Sequence, residues 1–251
     1  MRINTETFYY QLIKALKPEV VCDIGSLNGY HALQCRKLLP NARILAFEAH
    51  PLHALLMMKD KQLKRKSITV LKKAVSNKNG MLHFYLEKVS QKKGEDCRRG
   101  ISSLRQRIKD SLSTKRIKVQ AIRLDTFLKS RIETADTLAL WIDVEGNSYE
   151  VLKGVKQIRE QVCVIHAEVE VQPIWKDQKV EADVQRLMRE MNFIELAKGF
   201  NDPQHDLVFI NSLCWKKYPF KICTAAFTAI AISLYSYLGL LQGFLSAKIK
   251  S

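Results

Sequence analysis

A chain of 251 residues with 47% apolar residues has room for one sizeable α/β domain and an appendage, and is too apolar for wholesale disorder. Its six cysteines (Cys22, Cys35, Cys97, Cys163, Cys214 and Cys223) form no C-x-x-C pair and no zinc-type spacing. That argues for thiols in a reducing compartment and against a disulfide framework or a metal site. The net charge of +16 is unevenly spread: 20 Lys/Arg stand against five acids between Lys59 and Arg123, and five lysines without an acid follow Cys214.

The N-terminal Met1-Arg2-Ile3-Asn4-Thr5-Glu6 has no apolar h-region, so the catalytic part is expected on the cytoplasmic side. Residues 5–16 read as a leading helix that ends before Pro18. Residues 20–24 are a short buried strand, followed by a glycine loop and a helix over 30–38. A second strand over 43–47 precedes a helix that starts at Pro51, where proline suits a first turn, and runs to about 63. A third strand covers 68–75, and Asn79-Gly80 is a tight turn. The alternating runs 81–86 and 117–122 read as a hairpin, inserted over about 80–123 with a basic loop at its tip. Leu124-Asp125-Thr126-Phe127-Leu128 opens a short helix with Asp125 as its expected N-cap. Strands at 137–142 and 162–169, helices at 149–158 and 181–191, and late strands at 193–197 and 206–210 complete a domain ending near 213. Strands alternating with helices predict βαβ units and a mostly parallel sheet.

Asp23 ends the first strand immediately before the loop Gly25-Ser26-Leu27-Asn28-Gly29. That places a carboxylate and backbone amides at the carboxyl edge of the sheet, where open α/β sheets bind ligands. Glu48 ends the second strand, the place where an acid accepts hydrogen bonds from ribose hydroxyls. The loop is G-x-x-x-G and not the dinucleotide G-x-G-x-x-G, which favours S-adenosylmethionine over NAD. A sulfonium and an amino group prefer nearby carboxylates, and no pyrophosphate needs a third glycine.

Asp23-Ile24-Gly25, Phe47-Glu48-Ala49-His50-Pro51, Ala74-Val75-Ser76, Ser102-Ser103-Leu104, Leu124-Asp125-Thr126-Phe127-Leu128, and Ile142-Asp143-Val144-Glu145-Gly146 before Val151-Leu152-Lys153-Gly154 follow one another in this order. Together they resemble the FkbM family of methyltransferases. The resemblance implies a class I Rossmann-like fold, a mostly parallel seven-stranded sheet flanked by helices, and methylation of hydroxyl groups on sugars or natural products. It implies cofactor contacts from Asp23, Gly25, Gly29 and Glu48, adenine-side contacts after Ala74-Val75, and a transfer site lined by Asp143 and Glu145. The asparagine of the family's D-x-G-A-N-x-G falls at Leu27, with Asn28 one place late, and Trp141 stands where a basic or polar residue often precedes I-D-V-E-G.

Methylating a hydroxyl requires removing its proton, and a carboxylate or imidazole within reach is the expected agent. Asp143, Glu145 and Glu168 fall at the correct sheet edge; His166 reads more readily as a core histidine. Ser102 and Ser103 offer hydroxyls from the insertion, and no His/Asp spacing calls for a metal. Clusters such as Lys64-Arg65-Lys66 and Arg98-Arg99 suggest an anionic partner. Few aromatics interleave with them, so an anionic membrane surface and a glycan or glycolipid acceptor are favoured over nucleic acid. Residues 222–247 carry no charge, which as a helix would span roughly 39 Å, against a hydrocarbon core of roughly 30 Å. The expectation is a Lys-flanked transmembrane anchor over 214–251, with packing on the domain or in a homodimer as the alternative.

Overall fold

The computed structural model describes residues 3–87, 101–108, 114–200 and 203–248. In chain order the elements are α1 (Thr5–Leu16), β1 (Val20–Ile24), α2 (Tyr30–Leu38), β2 (Arg43–Phe47), α3 (Pro51–Lys59), α4 (Lys61–Arg65), β3 (Ile68–Leu71), β4 (Ala74–Val75) and β5 (Gly80–Glu87). There follow β6 (Thr114–Ile122), α5 (Leu124–Leu128), β7 (Leu138–Ile142), α6 (Ser148–Lys153), β8 (Val162–Glu170), α7 (Glu181–Glu190), β9 (Phe193–Lys198), β10 (Gln204–Asn211), α8 (Ser212–Lys217) and α9 (Pro219–Lys248).

Seven strands form one sheet in the order β3-β2-β1-β7-β8-β10-β9. The first five run parallel, and β10 is antiparallel to both of its neighbours. The central strands β1 (Val-Val-Cys-Asp-Ile) and β7 (Leu-Ala-Leu-Trp-Ile) are buried at every position, as expected where helices cover both faces of a parallel sheet. One face packs Leu140, Ile142, Ile165 and Ala167 against α5, α6 and α7. The other packs Val21, Ala139, Trp141 and Val164 against α1, α2 and α9. The strand order turns around between β1 and β7, so the loops after those two strands open a crevice at the carboxyl edge.

Three local expectations change. The stretch 68–75 is two strands: β3 stays in the main sheet, and β4 pairs parallel with β6 in a separate sheet of order β4-β6-β5. The inserted hairpin is as expected, running from Gly80↔Ala121 to Glu87↔Thr114, and its basic tip (88–100) lies outside the described residues. The helix from Pro51 breaks at Asp60, whose extended backbone (φ −62°, ψ 121°) lets its carboxylate cap α4 at the amides of Gln62 and Leu63. Asp125 is not the N-cap of α5; Arg123 is, and the Asp125 carboxylate instead grips the Arg123 guanidinium at 2.6 and 3.1 Å.

The transmembrane expectation is overturned. Among the described residues no helix is long and apolar enough to cross a membrane. Ile222, Ala225 and Ala229 of α9 are buried in the core layer that contains Phe8, Tyr9, Leu12 and Ile13 of α1. The hydroxyls of Thr224, Thr228 and Ser233 donate back to the carbonyls of Phe220, Thr224 and Ala229, each four residues earlier. The first half of α9, through Ile230, adds a layer to the domain.

Candidate active site

Gly25 sits at φ +83°, and a Cβ built there would lie 1.6 Å from the Asp143 carbonyl oxygen. Only glycine lets the loop after β1 lie flat on the end of β7. The amides of Gly25 and Ser26 both donate to the Phe47 carbonyl, which ties that loop to the end of β2 as well. Leu27 is also left-handed (φ 55°), and its amide donates to Glu48 Oε2 at 2.7 Å. Glu48 Oε1 accepts from the His50 amide at 2.6 Å. Burial raises the Glu48 pKa, and those two amides oppose the rise. The acid at the end of β2 is thus clamped by main chain on both oxygens before any ligand arrives.

These residues form one wall of a cavity of about 720 Å³ including its mouth, within the usual size range of small-molecule sites. Of the sequence-predicted cofactor residues, Gly25, Glu48, Ala74, Val75 and Asp143 line it. Asp23, Ser26, Asn28 and Gly29 do not. Asp23 is fully buried behind the loop; its Oδ2 accepts from Ser26 Oγ at 2.5 Å and from the Ala32 amide at 3.1 Å, while Oδ1 has no hydrogen-bond partner. Burial lifts the Asp23 pKa to about 7. It braces the glycine loop onto α2. Asn28 takes the Tyr30 amide at 2.9 Å, and Gly29 lies where a Cβ would meet Leu63.

Sequence reading missed His50, His53, Phe84, Leu104 and Asn147 in the lining. His50 and His53 stack with centroids 4.0 Å apart, a spacing of three on α3 and its cap that the Phe47-Glu48-Ala49-His50-Pro51 stretch only half displays. Burial lowers His50 to about 4, so its ring is neutral. Ser102 and Leu104 come from the return segment of the insertion, which crosses the carboxyl edge of the sheet. Ser103 Oγ donates to the Glu145 carbonyl at 2.6 Å, and Arg105 pairs with Glu150 at 2.5 Å. Ser103 therefore holds protein backbone, and Ser102 faces the cavity.

The structure brings Asp143, Glu145 and Glu168 together. One carboxylate oxygen from each lies within 4.8 Å of the others. Asp143 is exposed and opens onto the cleft; desolvation raises its pKa against a hydrogen bond from Glu168. Burial also raises Glu145 to about 8, with Asp143 and Glu170 adding and Arg107 opposing. Glu168 is pushed to about 10, first by burial and then by Asp143, Glu145, Glu170 and Asp206. Glu170 and Asp206, raised to about 7 and about 6 chiefly by burial, extend the cluster. Glu145 is itself left-handed (φ 45°), a strained backbone of the kind that concentrates at functional sites.

His166 does not line the cavity, and its Nε2 lies 3.8 Å from Asp206 Oδ2. It is 2% exposed, stacked 3.7 Å from Trp141, which in turn stacks 3.8 Å from His31, and burial holds it neutral. Trp141, where a polar residue was expected, is the middle layer of this sandwich on the α1 side of the sheet.

A seven-stranded sheet of this order, with a glycine loop after β1 and an acid after β2 facing one cavity, defines a class I Rossmann-like methyltransferase. The model of the methyltransferase FkbM domain matches residues 23–195, and the chain belongs to that family. It is 26% identical over 178 residues to 2-O-methyltransferase NoeI of Sinorhizobium fredii (strain NBRC 101917 / NGR234), covering 67% of this chain and 71% of the relative. Among solved structures it is similar to precorrin-6y C5,15-methyltransferase from Geobacter metallireducens GS-15, with 13% identity, a TM-score of 0.41, and coverage of 80% of this chain and 87% of the other. It is also similar to methyltransferase FkbM from Methylobacillus flagellatus KT, with 13% identity, a TM-score of 0.45, and coverage of 77% and 43%.

The family implies S-adenosylmethionine, and the residues present fit it. The glycine loop at Gly25, a clamped ribose-side acid at Glu48, and an apolar wall of Ala74, Val75 and Phe84 line one cavity.

Proposed function

We propose that this chain methylates a hydroxyl group of a glycan or glycolipid, using S-adenosylmethionine held against Gly25, Glu48, His50, Ala74 and Val75. The cofactor, when bound, supplies the methyl group as a sulfonium electrophile. Glu48 accepts hydrogen bonds from the ribose hydroxyls through the lone pairs that its two amide donors leave open. Asp143 faces the cavity and receives the acceptor's proton on a carboxylate oxygen, with Glu168 sharing it across their hydrogen bond. With the proton held at Asp143, the acceptor oxygen would be free to take the methyl group that the bound cofactor supplies. Positioning carries much of such an in-line displacement, and the return segment 101–108 supplies the roof over it.

The observation that carries this reading is the acid cluster opening onto the same cavity as Glu48. The relative NoeI is a 2-O-methyltransferase by name, which supports oxygen as the acceptor atom. The insertion's exposed basic residues, including Lys115, Arg116 and Lys118 on β6, favour an acceptor that carries anionic groups. Transfer of labelled methyl from S-adenosylmethionine into fractionated cell extract tests the proposal. Label in the carbohydrate or glycolipid fraction, lost in Asp143→Asn, is the expected result. Label confined to RNA would replace the acceptor class, and cofactor binding with no transfer into any fraction would reduce the chain to a binding module.

A further inference from the structure

The acid cluster holds more carboxylates than a proton relay needs. Asp143 and Glu145 follow β7, Glu168 and Glu170 lie two residues apart on one face of β8, and Asp206 comes from β10, paired with Glu168 in register. Arg107 opposes this charge at Glu145.

We propose that Asp143, Glu145 and Glu168 form a binding site for one hard divalent cation of the magnesium, manganese or calcium kind, at the mouth of the cofactor cavity. Two oxygens bound to one ion cannot be farther apart than twice the metal–oxygen distance, about 4.0–4.2 Å for magnesium and about 4.6–5.2 Å for calcium. The three carboxylate oxygens, all within 4.8 Å of one another, are near enough for small side-chain movements to close them around one cation. An all-oxygen donor set selects hard cations over zinc or copper.

A second observation points into the same place. Glu170 is 2% exposed, its carboxyl group lies in reach of the Gly146 amide beside Glu145, and its Oε1 has no hydrogen-bond partner. The Glu168 Oε2 atom is likewise buried without a partner. Both oxygens lie beside the cluster with acceptor capacity open, Glu170 being held otherwise by the Gly146 amide and the Gln178 side chain. A cation held by Asp143, Glu145 and Glu168, with a coordinated water donating to Glu170, satisfies them. Its remaining positions face the cleft through the open side of Asp143, where two neighbouring hydroxyls of a sugar could coordinate. That last consequence rests on the methyltransferase reading above; the cation site itself does not.

Titration of the full-length chain with Mn²⁺, followed by electron paramagnetic resonance without cofactor, tests the site. The expected result is one bound Mn²⁺ per chain, displaced by excess Mg²⁺ or Ca²⁺. Glu168→Gln, which does not line the cofactor cavity, should weaken it at least about tenfold. Neutralising one of several repelling carboxylates should leave the fold intact by circular dichroism; if it does not, Glu145→Gln serves in its place. Mn²⁺ that stays free at millimolar concentration with folded protein overturns the proposal, as does undiminished binding by both variants. Calorimetry with S-adenosylmethionine on the same samples separates the two readings. Cofactor binding without Mn²⁺ binding sinks the cation site alone, and Mn²⁺ binding without cofactor binding sinks the methyltransferase pocket alone.

Discussion

The main-chain amide of Leu27 donates to the Glu48 carboxylate at 2.7 Å, and it does so from a left-handed backbone at φ 55°. Leucine has no local hydrogen bond to offset that conformation, which costs roughly 1–2 kcal/mol in residues other than glycine, whereas asparagine tolerates it. The geometry explains why the family pattern has asparagine here. Leu27→Asn should therefore raise stability by about 1 kcal/mol, and Leu27→Val, whose branched Cβ suits φ > 0 still less, should lower it by about as much. Denaturant melts of the two variants check the sign; equal midpoints would show that the loop relaxes around residue 27.

Gly25→Ala is the severe counterpart. The added Cβ would meet the Asp143 carbonyl oxygen at 1.6 Å, and both partners are main chain with no side chain to swing away. Either the loop after β1 or the end of β7 must shift, and both line the cavity. A loss of S-adenosylmethionine affinity of about 100-fold is expected, since ångström-scale misplacement of such a loop has effects of that order. Calorimetry at matched protein concentration measures it, with circular dichroism to confirm folding.

Glu48→Gln isolates the ribose-side acid. The amide keeps one acceptor but turns an NH₂ towards either the Leu27 or the His50 amide, which now meet at 2.7 and 2.6 Å. One donor loses its partner in a buried setting, which costs about 1–3 kcal/mol, and a ribose hydroxyl loses an anionic acceptor. Cofactor affinity should fall about tenfold or more while the melting temperature drops by a few degrees. Unchanged affinity would place the ribose elsewhere in the cavity.

How much of this was legible beforehand depended on whether partners sit near one another in the chain. Buried strands such as Val20–Ile24 and Leu138–Ile142 announce themselves because both faces are covered, giving unbroken apolar runs. The loop Gly25 to Gly29 and the acid at Glu48 are local signals too. The break between α3 and α4 was in principle readable from Asp60, a good cap amid lysines and leucines. The depth of Asp23 was not: only the fold shows its carboxylate buried behind the glycine loop and braced by Ser26 and Ala32. The His31–Trp141–His166 sandwich joins three elements that only the sheet order brings together. The same holds for the carboxylates from β8 and β10 that surround Asp143. A charge-free stretch at the C-terminus has one sequence signature for lipid and for a neighbouring helix; the surface that α1 offers, with Phe8 and Leu12, decided between them.

Asp23 also gives a pH prediction. Its folded pKa is raised to about 7, chiefly by burial, above an unfolded value near 3.9. Between those values the folded chain holds a proton that the unfolded chain has released. Stability is therefore greatest below about pH 4 as far as this group is concerned, and falls as pH rises towards 7, by at most about 1.4 kcal/mol per pH unit. Asp23→Asn keeps the acceptor for Ser26 and Ala32 and removes the ionisation. Urea midpoints measured from pH 5 to 8 should decline for the parent chain and decline less for the variant. Parallel profiles would mean that Asp23 stays ionised in the folded protein.

The tail makes the final case, because two physical pictures predict opposite outcomes for one deletion. If α9 is a layer of the domain, removing it uncovers the apolar face of α1, including Phe8 and Leu12, which are at most 1% exposed. A chain ending after Lys217 should then melt at lower temperature and aggregate more readily, since Ile222, Ala225 and Ala229 no longer cover that face. Ala229→Glu tests the contact without a deletion. Ala229 is fully buried, and a carboxylate there would have no room and no partner, costing about 3 kcal/mol or more. A melting temperature unchanged in both the truncated chain and Ala229→Glu would remove α9 from the fold. A large drop in both, with Thr228→Ala nearly neutral because that hydroxyl bonds only to its own helix at Thr224, would fix the tail as structural.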